Sequence, residues 1–86
     1  MKIYVVFDAY SASNYDVSDA ASGMKSISGV NSITTMERVA GEVPRYCIEI
    51  DIADENAEAT GAKVKEAFGR YSSYMSNVAW GAYKKI

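Results

Sequence analysis

The sequence predicts an α+β domain, one antiparallel four-stranded sheet with two helices on one of its faces. Three observations carry that expectation. The run RYCIEIDI, Arg45 to Ile52, alternates Tyr46, Ile48, Ile50 and Ile52 with Cys47, Glu49 and Asp51, a period of two that gives one oily face and one polar face. Before it lies a second strand-like run, SITTMERVA, and Gly41-Glu42-Val43-Pro44 separates the two. Gly tolerates positive φ and Pro lacks an N–H, so a hairpin turn belongs there. On either side of this hairpin the apolar residues change to spacings of three and four, the mark of a helix with one buried face.

Taken in order, KIYVVFD (Lys2 to Asp8) is the first strand, with Ile3, Val5 and Phe7 on one face and Tyr4, Val6 and Asp8 on the other. Bulk on both faces places it inside the sheet. The loop AYSASN supplies Ser and Asn residues able to cap a helix. From Asp16 to about Ser28, Val17, Ala20, Ala21, Met24 and Ile27 form one apolar stripe. Gly23 and the serines weaken this helix, which therefore depends on packing, and Gly29 is placed to stop it. After the hairpin, Asp54 and Glu55 suit the positive end of a second helix, in which Ala57, Gly61, Val64, Phe68 and Tyr71 recur on one side. Glu58, Lys63, Lys65 and Glu66 fall on the solvated side. A Gly69-Arg70 break and a polar stretch lead to a last strand, Val78 to Tyr83.

The order β-α-β-β-α-β is the ferredoxin-like arrangement, with strand order 4-1-3-2 and both helices on one face. In the last strand Val78, Trp80 and Ala82 share one phase, while Ala79, Gly81 and Tyr83 share the other. We expect Trp80 on the open face and the small pair beneath a helix.

Size and charge narrow the functional classes. A chain of 86 residues holds a single domain, 1–86, and hides only roughly 60 to 65% of the surface that its unfolded form exposes. Hydrophobic residues at 49% and charged residues at 23% are a globular balance. The net charge is −2, and no run of like charge exceeds Lys84-Lys85, so neither nucleic acid nor an anionic membrane is an expected partner. Met1-Lys2 leads directly into the first strand without the apolar block of a secretory signal, and no segment approaches the ~20 apolar residues of a membrane span. Cys47 is the only cysteine, which excludes an internal disulfide and fits a reducing cytoplasm. Histidine is absent, so the commonest general base, metal ligand and haem ligand are missing together. We expect no metal and no cofactor. Oxygen ligands at Asp51, Asp54 and Glu55 are the one alternative, and the dipole of the second helix explains those acids without a cation.

With the isoleucines of the third strand under the helices, the opposite face collects Tyr4, Val6, Met36, Arg38, Cys47 and Glu49, together with Trp80. Each such apolar side chain left in water forgoes ~1.5 to 3 kcal/mol. A second copy is the simplest cover, because a two-fold axis needs one self-complementary surface. If the face holds a pocket, Tyr4, Arg38, Glu49 and Trp80 are its candidate residues. An aromatic stacks on a ring while Arg and Glu fix its polar substituents. The plainer reading makes Arg38 and Glu49 a cross-strand ion pair and the aromatics a dimer core. Asp8 and Asp51, at strand ends, are candidates for a shared proton, weighed against ordinary surface carboxylates. Cys47 has neither a His partner nor a nearby helix start and reads as structural. Tyr10, Tyr15, Tyr71 and Tyr74 either rim a cavity mouth or fill the ends of a small core.

The element order, the length and the stretch GEVPRYCIEIDIAD resemble the dimeric α+β barrel superfamily, in which two ferredoxin-like protomers pack sheet on sheet. KIYVVF and PRYCIEI are similar to the strands of small REDY-like and EthD-like proteins. That resemblance implies binding of a hydrophobic ring compound, with monooxygenase or cyclase activity in some members and no cofactor. The stretch GVNSITTMERVAGEVPRY also resembles the ligand-sensing domain of Lrp/AsnC regulators, which implies a noncatalytic amino-acid sensor. In this chain Val43-Pro44 replaces that group's acidic residue and no helix-turn-helix precedes the domain. An amino-acid-binding ACT domain stays a more distant alternative, because it would be expected to carry a Gly in the first strand-to-helix loop, where this sequence has AYSASNYD. An RNA-recognition domain would need several aromatics in PRYCIEID, and a metal-transport domain a Cys-x-x-Cys pair.

Overall fold

The computed structural model describes residues 1–9, 14–70 and 75–86, with the side chains of residues 9 and 14–16 outside the description. The elements are β1 (Lys2–Ala9), α1 (Asn14–Met24), β2 (Val30–Glu37), β3 (Tyr46–Ile52), α2 (Ala57–Gly69) and β4 (Met75–Tyr83). The sheet order is β2-β3-β1-β4 with every neighbouring pair antiparallel, the ferredoxin-like topology expected from the element order. β1 lies inside the sheet, as its two bulky faces require.

The core lies between the sheet and the two helices. Ile3, Val5 and Phe7 of β1 and Tyr46, Ile48, Ile50 and Ile52 of β3 are buried on one face against Val17 and Met24 of α1 and Val64 and Phe68 of α2. Phe7 is the hub of this layer, with ring centroids 5.5 Å from Tyr46 and 5.4 Å from Phe68. The alternation in β3 is followed strictly, buried at every even position and half-buried at every odd one.

Element boundaries moved where local chemistry decided them. α1 stops at Met24, and three successive short turns, Lys25 N–H to Ser22, Ile27 N–H to Met24 and Val30 N–H to Ile27, carry the chain to β2. Gly29 reverses it with φ 95°. A Cβ there would stand 2.5 Å from Thr60 Oγ1, so this position needs Gly both for its backbone angle and for its close approach to α2. Gly41, φ 106°, serves the hairpin between β2 and β3 in the first of those two ways. α2 begins at Ala57 rather than at Asp54, because Asp54 accepts from the Met1 amine at 2.8 Å and Asn56 takes a left-handed conformation, φ 59°.

β4 differs most from expectation. It begins at Met75, three residues early, and carries one extra residue relative to β1: Val6 faces Ala79 while Asp8 faces Ser76. Asn77 absorbs the bulge at φ 55°, a conformation that Asn tolerates better than most residues. Its side-chain amide donates to Asp8 Oδ2 at 3.0 Å. The register then sets Trp80 opposite Val5 and Gly81 opposite Tyr4. Trp80 therefore lies on the helix-covered face, and the expectation that it joins the open face is corrected.

Candidate functional site

The four residues singled out by sequence do not form one site. Tyr4 and Glu49 are register partners and share the open face. Trp80 is on the other side of the sheet. Arg38 lies beyond the end of β2, where its backbone N–H donates to Arg45 at 2.7 Å and its guanidinium donates to the Val43 carbonyl across the hairpin mouth. Glu49 stands opposite Thr34, four residues and ~13 Å along the strand from Arg38. The expected Arg38–Glu49 pair is therefore not made. Glu49 instead accepts from Lys2 Nζ at 2.6 Å, a contact that raises the lysine's pKa.

The shared-proton reading of Asp8 and Asp51 is overturned by the same register. Asp51 stands opposite Lys2, so the two carboxylates lie about 20 Å apart along β1. Asp8 accepts from the Arg45 backbone N–H at 2.9 Å and from Asn77, and these bonds lower its pKa below the ordinary carboxylate value. Asp54 is lowered by the Met1 amine. Among the described residues no three acidic or Cys side chains gather as a metal site. Cys47 is half-buried on the open face, and burial, with Glu49 adding to it, pushes its thiol up. Such a thiol is a poor nucleophile at neutral pH. Tyr10, Tyr71 and Tyr74 lie outside the described residues, as does the Tyr15 side chain.

The open face carries Tyr4, Val6, Cys47 and Met36, and Tyr83 takes the place expected for Trp80. The Tyr83 ring lies over Gly81, where an added Cβ would meet it at 3.0 Å, and meets the Tyr4 ring edge to face at 5.8 Å. A broad hollow of about 770 Å³ adjoins this pair, bounded by Met1, Lys2, Asp51, Asp54, Lys84 and Lys85. Charges of both signs line it, and Met1 and Lys2 are already engaged in ion pairs. A smaller hollow of about 210 Å³ lies between α1 and β2, where Glu37 on its wall is bound by Arg45 at 2.9 Å.

A third cavity has a different character. It lies between α2 and the outer half of the sheet, has a volume of about 190 Å³, and is walled by Val5, Val64, Phe68, Gly69, Val78 and Trp80, with Lys65 at its rim. Val5, Val64 and Phe68 form a buried floor, while Val78 and Trp80 are 43% and 45% exposed and form a wall open to solvent. The wall exists because β4 is an edge strand and the bulge at Asn77 turns Val78 and Trp80 toward α2. Lys65 Nζ sits 5.4 Å from the Trp80 ring centroid. An apolar pocket with a single polar group at its edge is the usual form of a small-molecule site. Of the sequence candidates only Trp80 belongs to it. Lys65 is exposed, as its place on the solvated side of α2 predicts, and its helical spacing gives no sign that its ammonium lies over the indole.

No protein-family profile matches the chain, and no curated protein does. Among solved structures the chain is similar to a Dabb-family protein with a ferredoxin-like fold from Mesorhizobium loti, at 17% sequence identity and a TM-score of 0.76, covering 99% of this chain and 95% of that one. At that identity the likeness is one of fold.

Proposed function

We propose that this protein binds a small hydrophobic ring compound in the cleft between α2 and β4, as a binding or accessory protein. The observation that carries this reading is the cavity itself, whose lining is apolar apart from Lys65 and ends on the chain's one tryptophan. Its volume, about 190 Å³, lies below the ~300 Å³ at which drug-sized sites begin, which suits one ring with short substituents. Lys65 is the single ionisable group among the described lining residues, so no acid and base pair stands over the floor and binding is the better-supported role. We place the open face against a second copy of the chain, since among the described residues no helix covers Tyr4, Val6, Met36 and Tyr83.

Stabilisation by a panel of single-ring aromatics, read as a rise in Tm, tests the first statement. A rise that Val64→Trp abolishes is the expected result, because the larger side chain fills the floor. No rise with any ring compound and a clear one with free amino acids would overturn it in favour of an amino-acid sensor. Light scattering at micromolar concentration tests the second, with twice the monomer mass expected and a strict monomer overturning it.

A further inference from the structure

Among the described residues Lys65 has no carboxylate partner. Its neighbour in sequence Glu66 and the nearby Lys63 are exposed on α2, the three ion pairs found elsewhere use Met1, Lys2 and Arg45, and the contact its ammonium makes is with the Trp80 ring. A lysine on a helix surface gains most from full hydration, yet this one is folded over an indole at the rim of an apolar cavity. A neutral ligand inside would gain nothing from that charge, and a cationic one would be repelled by it. A ligand with an anionic substituent at the rim would pair with it.

We propose that the cleft selects a single-ring aromatic carboxylate, its ring lying on Val64 and Phe68 against Trp80 and its carboxylate bound by Lys65. This inference rests on the reading of the cleft as the binding site and deepens it to a substrate class. The ring supplies the apolar contact area, and a volume of about 190 Å³ leaves room for a carboxylate on a short substituent. The Lys65 ammonium moves from the face of the indole to the carboxylate, so that the ring takes its place against Trp80. Free amino acids fit poorly, since an α-ammonium would be brought beside that of Lys65.

Trp80 is the one tryptophan in the chain, so its fluorescence reports this site and no other. Titration of the full chain with phenylacetate, phenylacetamide and L-phenylalanine, excited at the red edge of the indole band, separates the outcomes. The expected result is a saturable change with phenylacetate, weaker binding of the amide by about ten- to a hundred-fold, the spread expected for a charge-assisted hydrogen bond, and weaker binding still of phenylalanine. Lys65→Gln should reduce phenylacetate affinity by a similar factor and leave the amide unchanged, whereas Lys65→Arg should retain most of it. Equal binding of acid and amide, or indifference to Lys65→Gln, overturns the carboxylate assignment while leaving the cleft as a site for neutral rings. No saturable change with any probe overturns both. Lys65 is exposed, so these variants keep the fold.

Discussion

The two faces of the sheet are built from the same strands by the same alternation, and they follow different physics. On the covered face Ile3, Val5, Phe7, Ile48 and Ile50 are sealed by two helices, and each is at most 2% exposed. On the other face Tyr4, Val6 and Cys47, their immediate neighbours in sequence, are half-buried, with no helix over them among the described residues. One face is thus specified by close packing between elements distant in sequence. The other is specified only by who sits beside whom in the register. What differs is tolerance. A change on the covered face leaves a cavity, and a change on the open face alters what the protein can meet.

The largest expected effect lies in the hub of the covered face. Phe7→Ala should cost ~3 to 5 kcal/mol in urea unfolding, most of the stability of a domain of this size, whereas Val6→Ala next to it should cost less than about 1. Should Phe7→Ala fail to fold, Ile50→Val, at ~0.5 to 1.5 kcal/mol, makes the same comparison. Equal losses on the two faces would break the distinction between them.

Gly29→Ala should come next, at ~1 to 3 kcal/mol, because the new methyl must adopt φ 95° and stand against Thr60. Adding Thr60→Ala should recover the part due to the collision and leave the part due to the backbone, an outcome measurable as a double-mutant cycle. Full additivity would show that the two positions do not touch.

On the open face, Val6→Lys should change assembly more than folding. In the dimer proposed above, a charge on this face should shift the mass to that of the monomer in sedimentation while leaving monomer unfolding within about 0.5 kcal/mol. A shift in stability without a shift in mass would indicate that Val6 is instead part of the protomer's own packing.

The smallest effect concerns the bulge that separates the faces in β4. Asp8 holds the Arg45 N–H and Asn77, and its folded pKa is lowered, so its contribution is fully present above the unfolded value near 3.8 and is lost as pH falls through the folded one. Between about pH 4 and pH 2 the Tm of the wild type should therefore fall more steeply than that of Asp8→Asn. Parallel curves would remove Asp8 from the stabilisation of the bulge.

The period of two in RYCIEIDI, the three-and-four spacing in both helices and the order of elements were sufficient by themselves to determine the topology, the residues that β1 and β3 give to the covered face and the position of β1 inside the sheet. These are local patterns, and burial on one side of a strand or helix writes them directly into the chain. The pairing of Lys2 with Glu49, the separation of Arg38 from Glu49 and the side of the sheet on which Trp80 stands were decided only in the tertiary structure. Side chains in a strand alternate strictly, so one inserted residue exchanges the two faces for everything beyond it. The bulge at Asn77 is such an insertion, set by a left-handed backbone angle and a hydrogen bond to Asp8 sixty-nine residues away. No local pattern in the last strand carries that information, and for this reason the cleft that joins Trp80 to Lys65 became visible only once the strands were paired.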